Sequence, residues 1–157
     1  MSRYAAATKV STSDSRNEIE RTLSRYGADQ FLYGWQAEAA VVGFRMHGRQ
    51  IKFVLSMPAR DAKEFTHSSR GVRPAHVAAD AWEQACRQKW RALALVIKAK
   101  LEAVESGIAV FEDEFMANIV LPDGSSVGQF MRPQIADAYA TGAMPRMLPQ
   151  LPPPDAK

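Results

Sequence analysis

The residues whose type and spacing could most directly do chemistry are twelve lysines and arginines between positions 45 and 100. They are Arg45, Arg49, Lys52, Arg60, Lys63, Arg70, Arg73, Arg87, Lys89, Arg91, Lys98 and Lys100. Only Asp61, Glu64, Asp80 and Glu83 lie among them, so the stretch carries a net +8. Residues 1–44 balance to zero and residues 101–157 sum to −5, which leaves the whole chain at +3. Cationic side chains gathered in this way create a local positive field. The ligand that suits such a field is one with repeated negative charge, above all a nucleic-acid backbone. The plainer reading of a like-charge run is a solvated surface.

No other group of residues has a spacing that chemistry would require. His47, His67 and His76 match no metal-ligand pattern, and the single cysteine, Cys86, cannot complete a structural zinc site. One cysteine also excludes an internal disulfide framework. Glu112, Asp113 and Glu114 are consecutive, so on a helix they point in different directions and do not form a paired-carboxylate site for Mg²⁺. Gly124-Ser125-Ser126-Val127-Gly128 lacks the lysine of a phosphate-binding loop, and neither Ser68-Ser69 nor Ser125-Ser126 has a visible base partner. Cys86 falls on an apolar stripe and reads as packing. The expectation is a protein with no catalytic constellation, metal or cofactor.

The basic residues need elements to hold them. At 157 residues and 46% apolar composition, the chain can bury a core of its own. Residues 1–12 read as a flexible N-terminus, 13–144 as one α+β domain, and 145–157 as an extended proline-rich tail. Ser15 and Glu18 have capping-box spacing, which predicts a helix from Ser15, with Ile19, Leu23 and Tyr26 on one face, ended by Gly27. Three strands follow, over 31–35, 39–46 and 49–57. In the second, Ala40, Val42, Phe44 and Met46 alternate to one side; in the third, Ile51, Phe53 and Leu55 do. His47-Gly48 between them suits a two-residue hairpin turn. Phe31, Tyr33 and Trp35 also alternate. They would serve either as core or as a platform for stacking bases, and core is the better-founded reading.

Residues 58–73 read as a long polar loop carrying Arg60, Lys63, His67, Arg70 and Arg73. Pro74 then suits the first turn of a long helix reaching Ser106. Trp82, Cys86, Trp90, Leu93, Ile97, Leu101 and Val104 form its buried stripe. At 1.5 Å per residue such a helix would run for about 45–50 Å and overhang a small sheet, so its excess length must pack elsewhere. A short acidic helix over 110–118, a turn at 121–124 and a last helix from about Ser126 to Gly142 complete the chain. Ser126 and Gln129 have capping-box spacing, and Pro133 should kink or split that helix.

The stretch Ala81-Trp82-Glu83-Gln84-Ala85-Cys86-Arg87-Gln88-Lys89-Trp90-Arg91-Ala92-Leu93 resembles a signature of small proteins carried by bacteriophages and prophages. Leu121-Pro122-Asp123-Gly124-Ser125-Ser126-Val127-Gly128 and Gly142-Ala143-Met144-Pro145 are similar to the same group, which brings no activity with it. Element order is similar to the double-stranded-RNA-binding domain and to the β-β-β-α core of phage single-strand annealing proteins. That likeness is one of fold only. It implies nucleic-acid binding, of single-stranded DNA in phage replication or recombination, in the cytoplasm of a bacterial host. The contacts expected are Arg45 and Lys52 on the hairpin, Arg60, Lys63, Arg70 and Arg73 on the loop, and Arg87, Arg91 and Lys98 on the helix. A homo-oligomer joined through basic and acidic faces is a further expectation from the charge split. The alternative is a protein-interaction module that inhibits a host or defence factor. No apolar run approaches the length of a membrane span.

Overall fold

A computed structural model describes residues 3–36 and 38–144, with side chains from Thr12 onward except Gln36. Helix α1 spans Arg3–Arg25. Strands β1 (Gln30–Gln36), β2 (Ala39–Met46) and β3 (Arg49–Ser56) form an antiparallel sheet in sequence order. A short helix α2 (Lys63–Thr66) and a small hairpin, β4 (His67–Ser68) with β5 (Gly71–Val72), precede the long helix α3 (Ala75–Glu105). Helix α4 (Phe111–Phe115), a 3₁₀ turn at Met116–Asn118 and helix α5 (Val127–Thr141) follow. The fold is α+β, as composition and periodicity indicate.

Register explains how the sheet sorts its side chains. Phe31, Phe44 and Ile51 stand abreast across the three strands, as do Tyr33, Val42 and Phe53. These rows face inward, and Ala40, Val42, Phe44, Met46, Ile51 and Phe53 are buried. The alternate rows, Leu32–Gly43–Lys52 and Gly34–Val41–Val54, face the other way and carry no covering layer among the described residues. The His47-Gly48 turn forms as expected: both residues have positive φ, 50° and 72°, the combination a two-residue hairpin with right-handed twist requires.

Two helices cover the inner face. From α1 come Ile19 and Leu23; from α3 come Trp90, Leu93, Ala94, Ile97 and Leu101; Phe111 and Phe115 of α4 close one end. Arg16 lies over the Tyr33 ring, which itself sits 5.6 Å from Trp90. Tyr26, just beyond α1, donates to Glu102 Oε2 at 2.6 Å near the end of α3. The two helices therefore run side by side in the same direction. This accounts for the length of α3: the turns that overhang the sheet pack on α1 and, near its N-terminus, on α2.

Three expectations change. Helix α1 begins at Arg3 and not at Ser15, so Ser15 lies within the helix and caps nothing. Residues 3–14 contain no Gly or Pro and include Ala5-Ala6-Ala7, a strongly helix-forming run that lets the helix continue upstream. The 58–73 segment is folded and not a loop: Phe65 is buried, and it anchors α2 on α3. Of the two outcomes expected at Pro133, a kink or a split, the split does not occur: α5 passes through it as a single element. Proline removes one backbone hydrogen bond there, while firm ends hold the helix. At the N-terminus, Ser126 N donates to Gln129 Oε1 at 2.8 Å and Gln129 N to Ser126 Oγ at 3.2 Å. Gly142 closes the C-terminus in the left-handed region. The proline-rich tail expected at 145–157 lies outside the described residues.

Candidate nucleic-acid interface

The nine basic residues singled out by the sequence do not form one surface. Arg45 and Lys52 belong to the outward rows of the sheet, on the face opposite α3. Both are held. Arg45 makes a two-pronged pair with Asp29, its Nη2 2.6 Å from Oδ2 and its Nε 2.9 Å from Oδ1. That bond holds the Asp29 carboxyl below the usual aspartate range. Lys52 Nζ donates to the Gly124 carbonyl at 2.7 Å, fastening the turn before α5 to the sheet. In that turn Asp123 accepts from the Ser125 amide and hydroxyl, which holds its carboxyl low as well.

The other cations near the sheet are held in the same way. Arg49 pairs with Glu112 at 2.8 Å, Lys100 with Glu114 at 2.9 Å, and Lys89 donates to the Ser56 carbonyl at 2.6 Å. Glu112 and Glu114 therefore neutralise neighbours on the sheet and α3. Two of the C-terminal acids that the charge split offered to a second subunit are used within the chain.

Helix α3 sorts its charge by flank. At about 100° per residue, Arg87, Arg91 and Lys98 fall within about 40° of one another around the axis. Lys89 and Lys100 lie on the opposite flank, where the sheet edge and α4 hold them. Arg87 sits 3.9 Å from Glu83, a loose pair between an exposed arginine and a partly buried glutamate. Arg91 and Lys98 are exposed and make no ion pair or side-chain hydrogen bond among the described residues. Lys63 and Arg70 share this property. Lys63 opens α2. Arg70 stands at the tip of the β4–β5 hairpin, where Gly71 takes a φ of 111° to close the turn. Arg73 bonds back to the Phe65 carbonyl at 3.3 Å and so braces the base of this finger, near which Arg60 also lies in the sequence. The finger leads in the chain into the N-terminus of α3, the helix that carries the stripe.

Phe31 and Tyr33 pack against the core, whereas Trp35, the third of the alternating aromatic residues, is 51% exposed. The open rows of the sheet hold no aromatic side chain. His67 shares a 2.8 Å hydrogen bond with Thr66 Oγ1, and His47 packs edge-on against Phe111. Among the described residues no group of His, Cys, Asp and Glu side chains is placed to hold a metal ion. Cys86 is buried, and desolvation pushes its thiol up to about 11, far from a nucleophile's range. No described helix is long and apolar enough to cross a membrane. The finger went unread in the sequence because a buried Phe65 amid polar residues was its only signal.

No family model matches the chain, and no curated protein or solved structure matches it.

Proposed function

We propose that the protein binds nucleic acid through phosphate contacts, using the β4–β5 finger and the exposed stripe of α3. The observation that carries this reading is how the cations divide. Those near the sheet are tied to acids or carbonyls, whereas Lys63, Arg70, Arg91 and Lys98 stand exposed along one helix and the finger that leads into it. Exposed cations that hold no element of the described fold in place suit a polyanion. Arg60, Arg73 and Arg87 flank the same surface and add to its field. Arg45 and Lys52, on the other face, are not part of it.

The ligand we favour is single-stranded DNA in phage replication or recombination, bound without sequence preference and without catalysis. With Phe31 and Tyr33 in the core, affinity rests mainly on charge, so it should weaken steeply with salt. The test is fluorescence anisotropy of a labelled single strand across a salt series, with a duplex of equal length beside it. Salt-sensitive binding that prefers the single strand supports the proposal, and an equal or stronger preference for duplex moves the ligand class to double-stranded nucleic acid. No binding at low salt ends the nucleic-acid reading.

A second reading, a module that inhibits a host or defence factor, is favoured by α5. This capped helix buries no residue, and Phe130, Ile135 and Tyr139 are exposed along it. A stoichiometric complex with one host protein, lost on Phe130→Asp with nucleic-acid binding intact, would favour that reading.

A further inference from the structure

The two edges of the sheet are treated differently. Along the outer edge of β3, Val120 N donates to the Gln50 carbonyl at 2.8 Å, Asn118 Nδ2 to the Lys52 carbonyl at 3.0 Å, and Lys89 Nζ to the Ser56 carbonyl at 2.6 Å. Ile119 forms a bridge with Ile51 at the same place. That edge is closed. It also reveals the hydrogen-bond parity of the whole sheet. Gln50, Lys52 and Ser56 turn their carbonyls away from β2, and the 2.8 Å bond from Met57 N to the Glu38 carbonyl fixes the same alternation on β2. Carried across the antiparallel register, the alternation points Gln30, Leu32 and Gly34 at β2 and turns the backbone groups of Phe31 and Tyr33 outward.

Among the described residues, no hydrogen bond reaches the outward amides or carbonyls of Phe31 and Tyr33. Natural sheets blunt such edges with lysine, proline or a bulge. The β1 sequence, Gln30-Phe31-Leu32-Tyr33-Gly34-Trp35-Gln36, has no charged residue and no proline, and it pairs with β2 without interruption. Leu32, 70% exposed on the open face, is the apolar side chain beside that edge.

We propose that β1 is the interface of a two-fold dimer, pairing antiparallel with β1 of a second copy to continue the sheet across both molecules. A two-fold axis at Leu32 sets Phe31 opposite Tyr33 of the second copy and Tyr33 opposite its Phe31. These are the residues whose backbone groups point outward, so each pair exchanges two hydrogen bonds. Leu32 then meets Leu32 of the second copy at a non-hydrogen-bonded position, where side chains approach most closely. A second copy is the occupant this edge fits, because an identical uncharged strand brings no charge to bury and none to oppose. This assembly is independent of the basic surface and of its ligand.

The experiment is sedimentation equilibrium on nuclease-treated full-length protein over a wide concentration range, with three variants. Wild type should associate to a dimer. Leu32→Lys should weaken dimerisation by about tenfold or more through like charges facing across the axis, and Leu32→Asp should do the same. Mixing the two variants should restore a heterodimer. Val54→Lys, on the same open face but two strands away, should leave association unchanged. Because Leu32 is exposed, all variants should keep the wild-type circular dichroism spectrum. A second measurement uses Leu32→Cys, which should form a disulfide-linked dimer under mild oxidation faster than Val54→Cys; Cys86 is buried and does not compete. A monomer at every concentration, a dimer indifferent to Leu32→Lys, or equal cross-linking of the two cysteine variants would overturn the proposal.

Discussion

The cations at the sheet and those on the finger and outer flank of α3 come from one stretch of sequence and do different work. Arg45, Arg49, Lys52, Lys89 and Lys100 each reach a partner between 2.6 and 2.9 Å away and join elements distant in the chain. Lys52 directs its charge at the Gly124 carbonyl of the turn before α5, and Lys89 at the Ser56 carbonyl on the edge of β3. Lys63, Arg70, Arg91 and Lys98 join nothing within the described fold. Charge density along a sequence therefore measures two quantities at once, the cations that close the structure and the cations that remain for a ligand. Distance to the nearest acid or carbonyl separates them.

Removing the second group together should give the largest effect. Lys63→Ala, Arg70→Ala, Arg91→Ala and Lys98→Ala combined should lower affinity for a single strand by about a hundredfold or more at low salt. They should also reduce the slope of log K against log salt by about 3, at about 0.7 for each phosphate no longer neutralised. Stability should move by less than about 0.5 kcal/mol per site, since these side chains hold no element in place. Anisotropy and thermal denaturation on the same preparation check both halves.

Lys100→Ala should behave in the opposite way. Its ammonium is partly buried, bonded to both the carbonyl and the carboxylate of Glu114, and it lies 5.6 Å from the Phe115 ring. Loss of about 1–2 kcal/mol in urea unfolding is expected, with affinity for nucleic acid nearly unchanged. An affinity loss as large as that of the outer group would erase the distinction between the two.

A smaller effect is expected at the open sheet face. Exchanging the charges of the exposed pair, Asp29→Arg with Arg45→Asp, should leave binding unaltered, because this pair lies across the sheet from α3. The smallest effect is one of pH. The Arg45 hydrogen bond holds the folded Asp29 carboxyl below its unfolded value. Its stabilisation is therefore present above the ordinary aspartate range and is lost as pH falls through the lowered folded value. Arg45→Ala should flatten that part of the acid-unfolding curve, with a small loss of stability near neutral pH that disappears at the acid end, where the carboxyl is protonated in both proteins.

Much of the architecture was legible because it depends on local repetition. Period-two alternation in 39–46 and 49–56, the apolar stripe from Cys86 to Leu101, and the Ser126–Gln129 box each express a backbone geometry within a few residues. What was not legible depended on encounters between distant segments. Nothing near Lys52 announces Gly124, and nothing near Arg49 announces Glu112. Phe65 looked like one apolar residue in a polar loop until α3 gave it a surface to bury against. The start of α1 was misplaced for another reason: Ser15 and Glu18 have the spacing of a cap, but a helix that can continue upstream has no need of one.

Sequence alone determined the α+β class, the three strands and their inward faces, the long helix, and the concentration of positive charge between Arg45 and Lys100. Local hydrophobic period and turn chemistry are sufficient for these. Only the tertiary structure decided which side of the sheet each cation occupies, which cations are consumed by acids and carbonyls, and which sheet edge has outward backbone groups unmet among the described residues. Those outcomes are set by contacts between residues tens of positions apart, for which composition and spacing carry no signal.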